Sequence, residues 1–221
     1  MSITLGIYDV FSYAIPGILY LFTFNETLKL LGLPFIDILQ LENGFHAILL
    51  GMLSYLIGHL FDYISHYIWY RRFYPGHSEQ RAYSTFTTHT GVTPEFDPRQ
   101  WPVLMAVLRH NDMEICYVID KNKATSIMFR NVSFALFLLT LVFAVSTFVP
   151  NFSLVFLLGA AGAAIGSFVS LRRGDVFNQW FYMLIYQQSL VYGSNLKEVL
   201  DNHRPQPTKD EQPMIRPEEN N

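Results

Sequence analysis

Residues 45–70, FHAILLGMLSYLIGHLFDYISHYIWY, decide the fold. The run is long enough to cross a hydrocarbon core of about 30 Å at about 1.5 Å per helical residue. Leu49, Leu50, Met52, Leu53, Leu56, Ile57, Leu60 and Phe61 make most of its surface apolar. Yet Tyr55, His59, Asp62 and His66 succeed one another at i, i+4, i+7 and i+11, the spacing of a single helical face, and Gly51, Ser54, Gly58 and Ser65 extend the stripe. An ionisable group in lipid costs several kcal/mol, so such a helix turns its polar seam toward other helices or a water-filled cavity.

The rest of the composition agrees with a membrane setting. Of 221 residues, 51% are hydrophobic and 16% aromatic, and the mean hydropathy of +0.22 is too high for an ordinary cytosolic protein. A net charge of -3 with scattered basic residues gives no support for a nucleic-acid surface. The single cysteine, Cys116, excludes an intrachain disulfide and a Cys-rich metal site, and fits a small apolar helix residue. The amino-terminal run lacks a basic start and an A-x-A-type cleavage site, so residues 5–31 are expected to stay as the first membrane helix.

Four stretches reach the roughly 20 residues a span needs: 5–31, 45–69, 131–149 and 152–171. Pro16-Gly17 should kink the first, and Asp9, Ser12 and Tyr13 give it a polar patch. Val149-Pro150-Asn151 closes the last two into an antiparallel hairpin. Arg71, Arg72, Arg81, Arg99, Arg109, Lys121, Lys123 and Arg130 crowd the segment between the second and third spans, and Arg172 and Arg173 come after the fourth. Excess Lys and Arg marks the cytoplasmic side, which places both termini there, in a multi-pass protein of the inner (plasma) membrane.

The expected class is therefore all-α, an integral membrane protein with four transmembrane helices. Residues 1–70 hold helices 1 and 2, 71–130 a cytoplasmic loop and helical stalk, and 131–172 the transmembrane hairpin of helices 3 and 4. An amphipathic, aromatic-rich cytoplasmic helix over 173–202 and a disordered tail over 203–221 complete the chain. Within the loop, 75–96 is rich in Gly, Ser, Thr and Pro and suggests a mobile hinge. Asp97-Pro98 then opens a helix, and Asn111-Asp112 caps another that continues unbroken into the third span as a stalk.

His59, Asp62 and His66 form a donor set that suits zinc or iron if other helices complete it. The alternatives are a structural or gating seam and an ion or proton path. Arg130-Asn131 stands where the stalk enters the membrane, placed either to reach lipid phosphates or to pair with Asp62. Gly159, Gly162 and Gly166, with intervening alanines, let helix backbones approach closely, within the chain or between copies. Arg72 and His77 fit the R-x4-H spacing of HEPN ribonucleases, but Pro75-Gly76 breaks the helix between them and RNA cleavage is not expected. No Walker A loop, GxGxxG, GxSxG or HExxH occurs, and the sequence leaves any cofactor unknown.

In layout, with four spans, a 97–130 stalk ending in Arg130-Asn131 and the Arg72/His77 pair, the chain resembles small membrane proteins of bacterial anti-phage systems. These include the Kiwa membrane component and the membrane proteins that accompany Cas13b. The resemblance implies antiviral defence by membrane sensing or perturbation, as a homo-oligomer in the lipid bilayer with a cytosolic partner protein. The competing expectation is a small membrane enzyme or ion pathway centred on Tyr55, His59, Asp62 and His66. Single cysteines introduced near Ser2, Thr88 and Asn221 should label from the cytoplasmic side and one at Asn151 from outside; external labelling at Thr88 would overturn the four-span topology.

Overall fold

The computed structural model describes residues 3–34, 44–74, 78–94, 96–149 and 153–191, and no strand occurs among them. The helices are α1 (Ile3–Leu30), α2 (Gly44–Ile64), a π-helical turn Ser65–Tyr70, α3 (Arg71–Phe73), α4 (Ser78–Thr90), a 3-10 turn Pro98–Gln100, α5 (Trp101–Asn111), α6 (Met113–Ser146) and α7 (Leu154–Val191). His46–Phe73, Met113–Ser146 and Leu154–Val191 are long and apolar enough to cross a membrane. Leu49, Met52, Leu56, Leu60, Ile165, Phe168 and Val169 all lie exposed on them. Water would strongly disfavour so much apolar surface, whereas lipid would not. The fourth expected span, 5–31, coincides with α1, which is not among these three; the side chains of residues 3–7 and 9 at its start lie outside the described ones.

α6 and α7 form the long axis, and their contacts run in opposite order along the two helices. Phe143 meets Phe156, Ser133 bonds Ser167, Ser126 bonds Gly174 and Lys123 bonds Asn178, so the pair is antiparallel. Pro150 and Asn151, expected to turn the hairpin, lie outside the described residues. α1 lies against both α6 and α2. It runs parallel to α6, since Tyr8 meets Tyr117 while Tyr20 reaches Asn131 and Phe134.

Close backbone approach, not bulk, joins α1 to α2. A Cβ at Gly17 would sit 1.7 Å from the Ser54 carbonyl oxygen, and one at Gly58 would sit 2.0 Å from that of Tyr13. Both positions therefore accept glycine alone, and Pro16 beside Gly17 is fully buried at the same crossing. The glycines singled out in α7 divide. Gly159 faces the Phe143 ring and Gly166 the Leu136 methyl, while a Cβ on Gly162 would meet nothing within 4 Å. The Gly162-x-x-x-Gly166 motif is thus not one packing face inside the chain.

Beyond the apolar stretches, α4, α5, the start of α6 and the end of α7 enclose a second core. Ala82, Phe86, Leu104, Leu108, Cys116, Ile119, Ile185 and Tyr186 are its centre. This bears on three sequence expectations. Residues 75–96 do not form a hinge throughout, because 78–90 is a helix that buries Ala82 and Phe86 one turn apart. Its Ser and Thr hydroxyls at 84, 85, 87, 88 and 90 bond carbonyls three or four residues back, so loop-like composition satisfies itself on a helix. The helix expected to run unbroken into the third span is continuous over Met113–Ser146, capped by Asp112 accepting from the Glu114 and Ile115 N–H groups. Residues of α4, α5 and α7 pack around its first turns, with Cys116 and Ile119 buried.

The third is the boundary drawn at 172–173 between the fourth span and the amphipathic helix. α7 continues through it for 38 residues to Val191. Gly174 is there for contact with α6: a Cβ would lie 3.3 Å from both the Arg130 nitrogen and the Ser126 oxygen. Residues 192–202 of the expected amphipathic helix, the 203–221 tail and the side chain of Asp9 lie outside the described residues.

Gly58→Ala should force α1 and α2 apart and cost about 1–3 kcal/mol, the usual range for overpacking. Gly162→Ala should be close to neutral. Thermal unfolding of both variants in one detergent checks this, and an unaltered midpoint for Gly58→Ala would refute the backbone contact.

Candidate functional site

The π turn positions the site. The Arg71 N–H donates to the His66 carbonyl five residues back, so the helix widens over Ser65–Tyr70. Such turns add a residue to the repeat and re-aim the side chains beyond it. Here adjacent residues both turn into the protein: the Trp69 indole N–H donates to Ser133 Oγ at 2.9 Å, and the Tyr70 hydroxyl donates to Asp175 Oδ1 at 2.7 Å. Trp69 also stacks on Phe137 at 4.2 Å.

On the membrane side of this turn, Asp62 accepts from Arg130 Nη2 and from Asn131 Nδ2, the latter at 3.0 Å. Arg130 and Asn131 are buried, and Tyr20 from α1 donates to the Asn131 carbonyl at 3.0 Å. Of the two roles open to Arg130, pairing with Asp62 is the one occupied. On the other side Asp175, also buried, holds Arg81 at 2.9 Å and 3.3 Å and accepts from Gln179. Burial works against the Arg81 charge, but hydrogen bonds from the guanidinium to Asp175 and the carboxylate's charge outweigh it and raise its pKa. Asn178 joins the halves, donating to the Tyr70 hydroxyl at 3.4 Å and accepting from Lys123 at 3.1 Å.

Tyr70 is the bridge. Its hydroxyl meets Asp175, Ser78 and Asn178, while the Arg130 guanidinium lies 6.0 Å from its ring centre and the His66 ring stacks on it at 5.8 Å. Two carboxylate–arginine pairs, one from the spans and one from the outer body, are thereby connected through one phenol. Buried atoms without a hydrogen-bond partner remain at His66 Nδ1, Ser65 Oγ, Arg81 Nε, Arg130 Nε and Asn131 Oδ1.

The sequence-predicted seam is split. Asp62 and His66 enter the network, whereas Tyr55 and His59 pack against Tyr13 of α1, with His59 4.8 Å from its ring centre. No three His, Cys, Asp or Glu residues converge among the described residues, so His59, Asp62 and His66 do not form the metal donor set that their spacing allowed. Arg72 is exposed and His77 lies outside the described residues. Tyr70, Arg81, Lys123, Asp175 and Asn178 were not singled out from sequence. The one signal for Asp175 was an acidic residue directly after Arg172-Arg173-Gly174, which resembled a helix start.

The arrangement is a run of hydrogen-bonded charges and hydroxyls that links α2, α4, α6 and α7. Removing one member of a buried pair leaves an uncompensated charge, while apolar replacement of both is often neutral. Asp62 keeps 25% of its side-chain exposure and Arg130 10%, so Arg130→Met should cost about 3 kcal/mol, the low end for such pairs. The double variant Asp62→Leu/Arg130→Met should regain most of this. Unfolding of single and double variants in detergent checks the coupling, and additive losses would refute it.

No protein-family model, curated protein or solved structure matches this chain.

Proposed function

We propose that this chain is a multi-pass membrane protein that senses or perturbs the bilayer, with the Asp62–Arg130/Tyr70/Asp175–Arg81 network coupling its membrane helices to the helical body outside. The observation that carries the proposal is Tyr70. It sits on the π turn of a membrane-length helix and bonds Asp175 and Ser78 of the outer body. A shift of α2 in the bilayer must therefore rearrange or break bonds outside it. π turns and paired charges at such a depth are features of moving parts more than of inert packing.

Bacterial antiviral defence at the inner membrane is the setting we favour, on the resemblance in layout, with both termini cytoplasmic. A homo-oligomer would cover part of the exposed apolar surface, and the outer helical body would meet a cytosolic partner. The second reading is a proton path, favoured by the buried and unpartnered Nδ1 of His66 beside the Asp62–Arg130 pair. A metal enzyme has less support, because the donors do not converge.

The test is expression in a phage-sensitive bacterium, reading phage plating efficiency and a membrane-potential dye alongside membrane yield. Wild type should restrict phage and shift the potential on infection. Asp62→Asn should insert normally and lose both effects, because it keeps the volume but removes the charge that holds Arg130. Full activity of Asp62→Asn would eliminate both the coupling and the proton path. A wild-type protein that inserts yet changes neither readout would overturn the defence setting.

A further inference from the structure

A cavity of about 210 Å³ lies where α1 begins, at the end of α5 and beside the first half of α6. Its polar walls are Tyr8, Tyr117, Arg109, Asp120, Lys121 and Lys123. Among the described residues the charges do not balance. Arg109 and Asp120 satisfy one another through Arg109 Nη2, at 3.0 Å and 3.3 Å. The Lys121 ammonium lies over the Tyr8 ring at 5.3 Å. Lys123 lies over the rings of Phe181 and Tyr182 and bonds the neutral amide of Asn178. Neither lysine has a carboxylate within ion-pair distance among the described residues.

A cation placed in a protein wall without a counter-charge is costly, and aromatic faces offset only part of that cost. Lys123 is such a part-buried cation; together with Lys121, which lines the same cavity from an exposed position, and two phenols beside them, it makes a site for an anion that accepts several hydrogen bonds. The cavity is smaller than the range of about 300–1,000 Å³ typical of drug-sized ligands, which suits a phosphate with a small substituent and disfavours a nucleotide. Its height along the chain fits the same chemistry. Lys123 precedes Arg130-Asn131 by two turns on α6, just outside the apolar 132–146 stretch, where basic pockets meet lipid headgroups.

We infer that the Tyr8/Tyr117/Lys121/Lys123 cavity binds a phosphate-bearing anion, either the headgroup of an anionic phospholipid or a small free phosphate compound. The inference stands apart from the sensing proposal, since it concerns binding alone. It also places a ligand next to the network, because Lys123 shares Asn178 with Tyr70. An anion in the cavity would supply the missing counter-charge to Lys123 and tighten this link.

The experiment uses the full chain in uncharged detergent. Inorganic phosphate is titrated against chloride at matched ionic strength, and lipid retention is measured by native mass spectrometry after reconstitution in phosphatidylcholine vesicles with or without phosphatidylglycerol. Saturable phosphate binding in lipid-free micelles assigns the soluble source, and selective retention of phosphatidylglycerol assigns the lipid; each supports the site. Lys121→Glu, at an exposed position that leaves the core untouched, should weaken whichever binding is seen by about tenfold, the loss of one good charge-assisted contact. Lys123→Gln should do likewise, with its thermal midpoint verifying that it folds. The absence of both binding signals, or wild-type binding by Lys121→Glu, overturns the inference.

Discussion

A charge carried among apolar helices must find its opposite, and that constraint organises the whole molecule. Arg130 cannot reach bulk water from its buried position, so Asp62 has to come to it from another helix. That requirement fixes the rotation of α2 relative to α6 far more tightly than apolar contacts could, because Leu, Ile and Phe are interchangeable neighbours in lipid. Tyr20 then bonds the carbonyl of Asn131, and α1 is held to α6 by the same knot. The glycine crossings at Gly17 and Gly58 complete the arrangement by allowing α1 to lie flat against α2.

Asp175 repeats the solution one layer out. It is buried on α7 and is satisfied by Arg81, Tyr70 and Gln179, groups from three separate segments. The outer body is thus not simply tethered by chain connectivity. Its aromatic core around Phe86, Phe181 and Tyr186 supplies the apolar burial, while the Asp175 cluster sets its orientation on the spans. The two bodies share α6 and α7 as continuous rods, so strain in one has a stiff path to the other.

The features legible in the sequence were those that obey a fixed period. Asp62 and His66 lay on one face at helical spacing, Arg130-Asn131 stood at the end of an apolar run, and Asp112 preceded a long helix; each occupies the network or the cap that its position suggested. Features hidden from sequence broke a local rule for a tertiary reason. α4 looks like a loop because Ser and Thr dominate it, yet their hydroxyls fold back onto its own carbonyls and Phe86 anchors it. Gly174 looks like a helix stop but serves a close helix crossing. Periodicity likewise grouped Tyr55 and His59 with Asp62, although α1 covers that part of the seam with Tyr13.

The π turn explains why an α-helical wheel works for the first half of the seam and fails at its end. The extra residue in the wider turn shifts where every later side chain points relative to the α repeat. In this register Trp69 reaches Ser133 of α6 and Tyr70 reaches Asp175 of α7. Such a turn costs regular hydrogen bonding and persists only where tertiary contacts offset the loss. Here the offset is one buried and one part-buried hydrogen bond and an aromatic stack on Phe137. If those contacts were released, the helix would be free to return to the α repeat, which would rotate Tyr70 away from Asp175. The junction between the spans and the outer body therefore rests on the register that this turn sets.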